Sequence, residues 1–142
     1  MSTLSLALIW NEDRDLILMT QLLCRERGYM FQHFTDFAGA QKHWYAHPPT
    51  VAIIKRSLDT IDDGLAFCRT IRADYQLQGL PLIVGWADMP RQPFEEAYEA
   101  GANGCFGRVF DIGGVFTMVE RLAQDPTQTQ LVDQPVPYRK KI

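Results

Sequence analysis

The sequence predicts one α/β domain built on a parallel β-sheet. Short apolar segments alternate five times with segments whose apolar residues recur every three or four positions. The connections between them are short, and a chain of 142 residues with 46% apolar residues has material for one globular core. Because parallel strands need crossover helices, this alternation predicts a sheet covered by helices on both faces.

Each predicted strand is a short apolar run that ends at polar or turn-forming residues. The five runs are residues 4–10, 29–34, 51–54, 80–84 and 104–107. Runs that are apolar throughout are typical of parallel strands buried on both faces. We expect five parallel strands, one from each run.

A helix is predicted after each strand. The predicted helices cover residues 14–27, 37–47 and 90–100, with two further helices that follow Asp63 and Asp111. In the first helix Leu16, Met19, Leu22 and Leu23 fall on one face, which we expect to be buried. Gly28 stands where a left-handed helix cap is expected.

These elements predict a flavodoxin-like (βα)5 doubly wound fold with strand order 2-1-3-4-5, formed by residues 1–124. Residues 125–142 contain three prolines and several glutamines and threonines, so we expect a flexible tail or linker stub. The alternative is that Leu131, Val132 and Val136 dock on a partner.

Composition argues against several classes of function. The net charge of −3 disfavours direct binding to nucleic acid. No apolar run reaches the roughly 18 residues of a membrane span and no basic leader precedes the first strand, so a cytoplasmic location is expected. Cys24, Cys68 and Cys105 are widely spaced in apolar surroundings, which indicates reduced core thiols. We expect no metal and no cofactor.

Ligands of open α/β sheets bind beyond the carboxyl ends of the strands. The segments to consider are therefore residues 10–13, 55–58, 85–88 and 107–110. Two adjacent cations, Lys55 and Arg56, follow the third predicted strand at this edge. They are the most unusual residues in the set.

Three segments carry a resemblance to a known family: Asp-Gly-Leu-Ala-Phe-Cys-Arg-Thr-Ile-Arg-Ala-Asp at 63–74, Leu-Pro-Leu-Ile-Val at 80–84 and Ala-Gly-Ala-Asn-Gly at 100–104. With them, the chain resembles the response-regulator receiver domain of two-component signalling over about residues 4–122, in one gapless register. These motifs belong to the scaffold, so they indicate a fold and are silent about activity.

The resemblance implies a degenerate phosphorylation site. The family's acidic pair, which holds Mg²⁺, falls on Asn11 and Glu12, with Asp13 close by. The phospho-accepting aspartate falls on Arg56, or on Lys55 if the register slips by one residue. The resemblance therefore implies a pseudo-receiver that lacks its nucleophile.

The other family positions are also replaced. The Thr or Ser that contacts the phosphoryl group falls on Trp86, followed by Ala87. The lysine after the fifth strand falls on Arg108, the proline after it on Val109, and the switch aromatic on Cys105. We treat all five as vestigial pocket positions.

The chemistry of acyl phosphate formation needs a carboxylate nucleophile and a divalent cation on oxygen ligands. A guanidinium cannot attack phosphorus, and its charge occupies the place of the metal. We expect Arg56 or Lys55 to form an ion pair with Glu12. Asp59, Asp62 and Asp63 lie past the strand end and are alternative acceptors. Carboxylates in such a loop more often cap the following helix. No enzymatic activity is expected.

Several structural alternatives stay open. Glu12 and Asp13 are also suited to capping the first helix. Trp10 is interpreted as a plug in a vestigial pocket, whereas Trp86 is either such a plug or an exposed protein-binding anchor. Arg108 is expected to pair with Glu12 or Asp13.

Two functions compete. The first is a phosphorylation-independent interaction or regulatory module, with a signalling or output protein as its partner. The resemblance implies contact or homodimerisation through the fourth and fifth helices and the strand between them, a face that includes Glu95, Glu96, Tyr98, Arg108, Phe110, Met118 and Arg121. The second is binding of a small anion by Lys55, Arg56 and Arg108.

Overall fold

A parallel β-sheet of six strands forms the central layer of the protein. The computed structural model describes residues 3–59, 63–86, 94–107 and 110–133. The strands are β1 (Ser5–Ile9), β2 (Met30–Phe34), β3 (Val51–Lys55), β4 (Leu82–Gly85), β5 (Gly104–Phe106) and β6 (Leu131–Asp133). Their order is β2-β1-β3-β4-β5-β6, and every neighbouring pair is parallel.

Five helices cover the two faces of this sheet. They are α1 (Arg14–Arg27), α2 (Phe37–Trp44), α3 (Gly64–Arg72), α4 (Phe94–Ala100) and α5 (Ile112–Gln124). The buried side chains of α1 and α5 pack on one face, and those of α2, α3 and α4 pack on the other. The doubly wound α/β prediction is confirmed. No helix among the described residues has the length and apolar character needed to cross a membrane.

Aspartates fix where four of the helices begin. Asp13 accepts from the Leu16 N–H at 3.1 Å and Asp63 from the Leu65 N–H at 2.9 Å, while Asp36 and Asp111 cap α2 and α5 in the same way. Such a cap satisfies an N–H that the helix leaves unpaired. At the far end of α1, Gly28 has a φ of 72°, the left-handed cap that the sequence predicts.

The buried face of α1 differs from the predicted one. Leu16, Thr20 and Cys24 face the core at i, i+4 spacing, whereas Met19 and Leu22 are 45% and 47% exposed. The Thr20 hydroxyl donates to the Leu16 carbonyl at 2.7 Å, which satisfies the polar group within the helix and allows its burial. Part of the predicted apolar face of α1 is therefore a surface.

The sixth strand corrects the prediction of five. It lies within residues 125–142, which were expected to form a flexible tail, and its residues pair with β5 in register from Gly104 and Leu131 to Phe106 and Asp133. The Tyr98 hydroxyl on α4 donates to the Leu131 carbonyl at 2.8 Å. The fold thus continues to at least Asp133.

Buried Asn103 holds this last segment on the domain. Its carboxamide oxygen accepts from the Leu82 N–H at 2.9 Å and from an Arg72 guanidinium N–H at 2.8 Å. Its amide nitrogen donates to the Gln128 carbonyl at 2.8 Å, and its own carbonyl accepts from the Leu131 N–H at 3.0 Å. One side chain therefore joins α3, the start of β4 and the segment that leads into β6.

We expect a chain ended at Gln124 to lose about 2–6 kcal/mol of unfolding free energy. Removal of residues 125–142 takes away the carbonyl acceptors of the Asn103 amide nitrogen and of the Tyr98 hydroxyl, at about 1–3 kcal/mol for each donor. Urea unfolding followed by circular dichroism measures the change.

Asn103→Ala supplies the control for that experiment. It should destabilise the full chain more than the shortened chain, because the shortened chain already lacks the contacts of the Asn103 side chain with Pro126 and Gln128. An unchanged unfolding midpoint in the shortened chain would contradict the role of this segment.

Candidate functional site

Strands β1, β3, β4 and β5 bring their carboxyl ends to one edge of the sheet, where a ligand of this fold class binds. The register places Ile9 beside Ile54 and Lys55 beside Gly85. The residues just beyond these ends, Asn11 and Arg56 among them, form the candidate site.

Lys55 is half-buried and is held by the end of β1. Its Nζ donates to the Asn11 Oδ1 at 2.8 Å and lies 5.9 Å from the centroid of the Trp10 ring. Asn11 Nδ2 in turn donates to the Leu58 carbonyl at 2.7 Å. An aromatic face and a carboxamide oxygen both favour a cation, so Lys55 is stabilised by the strand next to it.

Arg56 is held from the opposite direction, by the start of α3. Its guanidinium forms an ion pair with Asp63, the carboxylate that also caps α3. The Gly64 N–H donates to the Arg56 carbonyl at 2.8 Å, and a Cβ on Gly64 would overlap the Lys55 carbonyl. Glycine is needed here because α3 begins directly against the end of β3.

Aromatic rings pack on both faces of the sheet at this edge. Trp10 stacks on Phe106 with ring centroids 5.9 Å apart, and Phe106 contacts Phe110 at 5.0 Å. A Cβ on Gly85 would overlap the Phe106 ring, so the ring lies on the backbone of β4. On the other face of the sheet, buried Trp86 packs on Phe94 at 5.1 Å.

The predicted ion pair between Glu12 and a strand-end cation is wrong. Lys55 contacts Asn11 and Arg56 contacts Asp63, while Glu12 is exposed in a left-handed turn with a φ of 68°. That turn carries the Glu12 side chain away from β3. The cap expected of Asp13 is present.

Trp10 and Trp86 are both buried, which agrees with their interpretation as plugs and excludes Trp86 as an exposed anchor. Three predicted pocket positions, Ala87, Arg108 and Val109, lie outside the described residues. The pairing expected for Arg108 is therefore still a prediction, and so is its place in an anion site.

The described residues at this edge are arranged in a way that does not fit a divalent cation. Both ends of the Asn11 carboxamide are used by Lys55 and Leu58, and Asp13 caps α1. The Lys55 ammonium occupies the position next to the Asn11 oxygen that a metal would need. Across the part of the chain that the structure describes, no cluster of three His, Cys, Asp or Glu side chains is placed to hold a metal.

The buried thiols are poor nucleophiles. Burial raises the pKa of Cys68 and Cys105 to about 12 and that of Cys24 to about 11, so each thiol stays protonated near neutral pH. Free, buried cysteines agree with the prediction of reduced core thiols.

The face predicted for protein contact is only partly open. Glu95, Glu96 and Arg121 are exposed, and Tyr98 and Phe110 are half-buried. Met118 is buried and faces Gly104, so the prediction that it lies on an exposed contact face is wrong. Strand β6 covers the edge of β5 that this face would use.

Two features of the site were missed from the sequence. The Phe106 ring fills the space between Trp10 and β4, and Gly85 leaves room for it because glycine has no Cβ. A glycine at the end of an apolar strand signals a close approach by another group, so Gly85 carried a usable signal. Nothing in the sequence indicated that Asn11 would contact both Lys55 and Leu58.

Solved structures of other proteins have the same fold as this chain. Neither a protein-family model nor a curated protein sequence matches the chain. A protein described as a response regulator from Chloroflexus aurantiacus is 21% identical with a TM-score of 0.76, over 87% of this chain and 99% of its own. The chain has the receiver fold.

Two further receiver domains agree with this assignment of the fold. The domain of a Syntrophus aciditrophicus signal transduction histidine kinase is 20% identical with a TM-score of 0.71, covering 89% of this chain and 94% of its own. That of a Pseudomonas aeruginosa sensor histidine kinase is 18% identical with a TM-score of 0.73, covering 87% of this chain and all of its own. The Pseudomonas domain holds a magnesium ion in its active-site cleft.

We expect Asn11→Ala to lower the free energy of unfolding by about 1–3 kcal/mol, because it leaves the Lys55 ammonium and the Leu58 carbonyl without their shared partner. Asn11→Asp should cost less, since it keeps an acceptor for Lys55. Urea unfolding measures both. Glu12→Gln, at an exposed neighbour, is the control, and an Asn11→Ala variant as stable as this control would contradict the role of the carboxamide.

The buried thiols should make stability fall at alkaline pH. Because the pKa of Cys68 and Cys105 is raised from 9.0 to about 12, the unfolded chain loses these protons first. Their contribution is complete below about pH 9 and is lost as the pH rises toward about 12, at up to about 1.4 kcal/mol per pH unit for each thiol. Urea unfolding at about pH 8 and about pH 10 measures the loss. It should be smaller in Cys105→Ala, and an equal loss in that variant would refute the assignment.

Proposed function

We propose that this chain is an atypical receiver-type signalling domain that accepts no phosphoryl group and acts through contact with a protein partner. The observation that carries the proposal is the pair of cations at the end of β3, where the receiver register requires the accepting aspartate. The proposal places the domain in the cytoplasm as a regulatory module, with no enzymatic activity and no direct contact with nucleic acid.

The fixed contacts of these cations support the proposal. Lys55 is bound by Asn11 and the Trp10 ring, and Arg56 by Asp63. A phosphorylation site needs the reverse arrangement, an acidic cluster that gathers around a metal ion. The Asp63 carboxylate, the nearest acid described, is already engaged by Arg56 and by the cap of α3.

Packing at the same edge supports it further. A receiver signals by a structural change near its phosphorylation site, which requires groups that can move. Here the Phe106 ring is confined between Trp10 and the Gly85 backbone, and the Trp86 indole is buried. Moving either ring would open a cavity, at a cost of several kcal/mol for a large aromatic side chain.

Anion binding at this edge is the weaker hypothesis. Lys55 and Arg56 point to different partners, and the Arg56 charge is neutralised by Asp63. An anion would have to displace that carboxylate. No described contact brings the two cations together on one ligand position.

The experiment that tests the proposal is incubation with acetyl phosphate and Mg²⁺, followed by intact-protein mass spectrometry. We expect no mass increase corresponding to one phosphoryl group, and no change in tryptophan fluorescence on addition of fluoroberyllate. The Arg56→Asp variant should remain unmodified as well, because the Lys55 ammonium still occupies the position that a metal ion would need.

A matched variant makes a negative result informative. In Lys55→Ala/Arg56→Asp, both cations are removed and one carboxylate is supplied at the receiver position. Phosphoryl incorporation by this variant alone would confirm that the cations block the chemistry. Incorporation by the unaltered chain would overturn the proposal.

A further inference from the structure

The outer face of α1 is apolar where a helix on the surface of a monomer is normally polar. Leu18, Met19 and Leu22 are 53%, 45% and 47% exposed. They account for three of the seven large apolar side chains that are exposed among the described residues, and all three lie within one turn and a half of one helix. Clustering of this kind marks a contact surface, whereas scattered exposed residues do not.

Charged residues extend this surface at both ends. Asp15, Leu18, Leu22 and Arg25 are spaced by three, four and three residues, so they form one stripe along the helix. The stripe lies opposite the buried row of Leu16, Thr20 and Cys24. Across the described residues, neither Asp15 nor Arg25 is in an ion pair with another residue of the chain.

The stripe is self-complementary: its charges and apolar residues match those of a second, antiparallel copy. If two copies of α1 pack antiparallel about a two-fold axis, Leu18 of one copy faces Leu22 of the other. Asp15 then faces Arg25, and this ion pair forms twice. A parallel pair would place Asp15 against Asp15 and Arg25 against Arg25, so only the antiparallel arrangement satisfies the charges.

A groove next to the stripe offers additional contact area. It has a volume of about 360 Å³ between α1 and the edge strand β2, and its lining includes Leu18, Leu22, Arg25, Tyr29 and Phe31. Antiparallel helices also oppose their dipoles, which favours the same arrangement. The apolar side chains of a second helix can pack into this groove.

We propose that α1 is a two-fold self-association surface and that its occupant is a second copy of this chain. The inference names one partner for the interaction module proposed above, and it moves the homodimer contact away from the β5 edge that β6 covers. The contact is small, since the 14 residues of α1 span only about 21 Å. The dimer should therefore be weak, with a Kd on the order of 10 µM to 1 mM.

Sedimentation velocity over about 10 µM to about 1 mM tests the inference with the full chain. We expect the mean mass to rise toward that of a dimer as the concentration increases. Leu22→Asp should raise the Kd at least about tenfold, because it buries a carboxylate in the centre of the contact. Met30→Asp is the matched control, since Met30 is 62% exposed on β2 and lies outside the stripe, so it should leave the Kd unchanged.

A charge exchange tests the orientation. Asp15→Arg and Arg25→Asp should each weaken the dimer by about three- to tenfold, and the double variant should restore the Kd, because it exchanges the two charges of each pair. Both changes oppose the dipole of α1, so urea unfolding is measured in parallel to confirm that each variant is folded.

Three outcomes would overturn the inference: a monomer over the whole range, an equal effect of Met30→Asp and Leu22→Asp, or a double variant no tighter than the single ones. A chain that stays monomeric over the whole range overturns the inference even if it binds a different helical protein. Phosphoryl incorporation is measured separately, so the proposed function can stand when this inference fails.

Discussion

The half-buried ammonium of Lys55 organises the carboxyl edge of the sheet. A cation that leaves water must find its solvation within the protein, and here the Trp10 ring and the Asn11 oxygen supply it. Asn11 can do this only because its other end is anchored on the Leu58 carbonyl. Leu58, the turn after β1 and the buried indole are thus connected, directly or through Asn11, to one charged side chain.

A second asparagine does the corresponding work at the opposite edge. Asn103 accepts from Leu82 and Arg72 and donates to Gln128, so it joins the start of β4 to the segment that leads into β6. A carboxamide carries an acceptor oxygen and a separate nitrogen with two donors on one short, uncharged side chain. An aspartate at either position would place a negative charge against a backbone carbonyl.

Much of the frame was predictable because it depends on local patterns. The bounds of α1 and the strand order of β1 to β5 follow from apolar runs, and Asp13, Asp63 and Asp111 cap helices where expected. The sixth strand was not predictable, since three residues carry no periodicity and Leu131 is placed by a contact with distant Asn103.

The site was predicted less well than the frame, for the same physical reason. The position of the cations followed from the register, but their partners depend on side chains from other elements. Arg56 pairs with Asp63 instead of Glu12 because a left-handed turn carries Glu12 outward. On α1, helical periodicity placed Leu22 toward the core, whereas the sheet contacts the row of Leu16, Thr20 and Cys24.

The covering of β5 by β6 also changes how the sheet meets its surroundings. An open sheet exposes unpaired backbone groups at both margins, and these are templates for edge-to-edge polymerisation. At one margin the last strand described is β6. The opposite margin is β2, which has five residues and begins at the exposed Met30. On the β2 side, a second copy bound at α1 would also shield the sheet from such pairing.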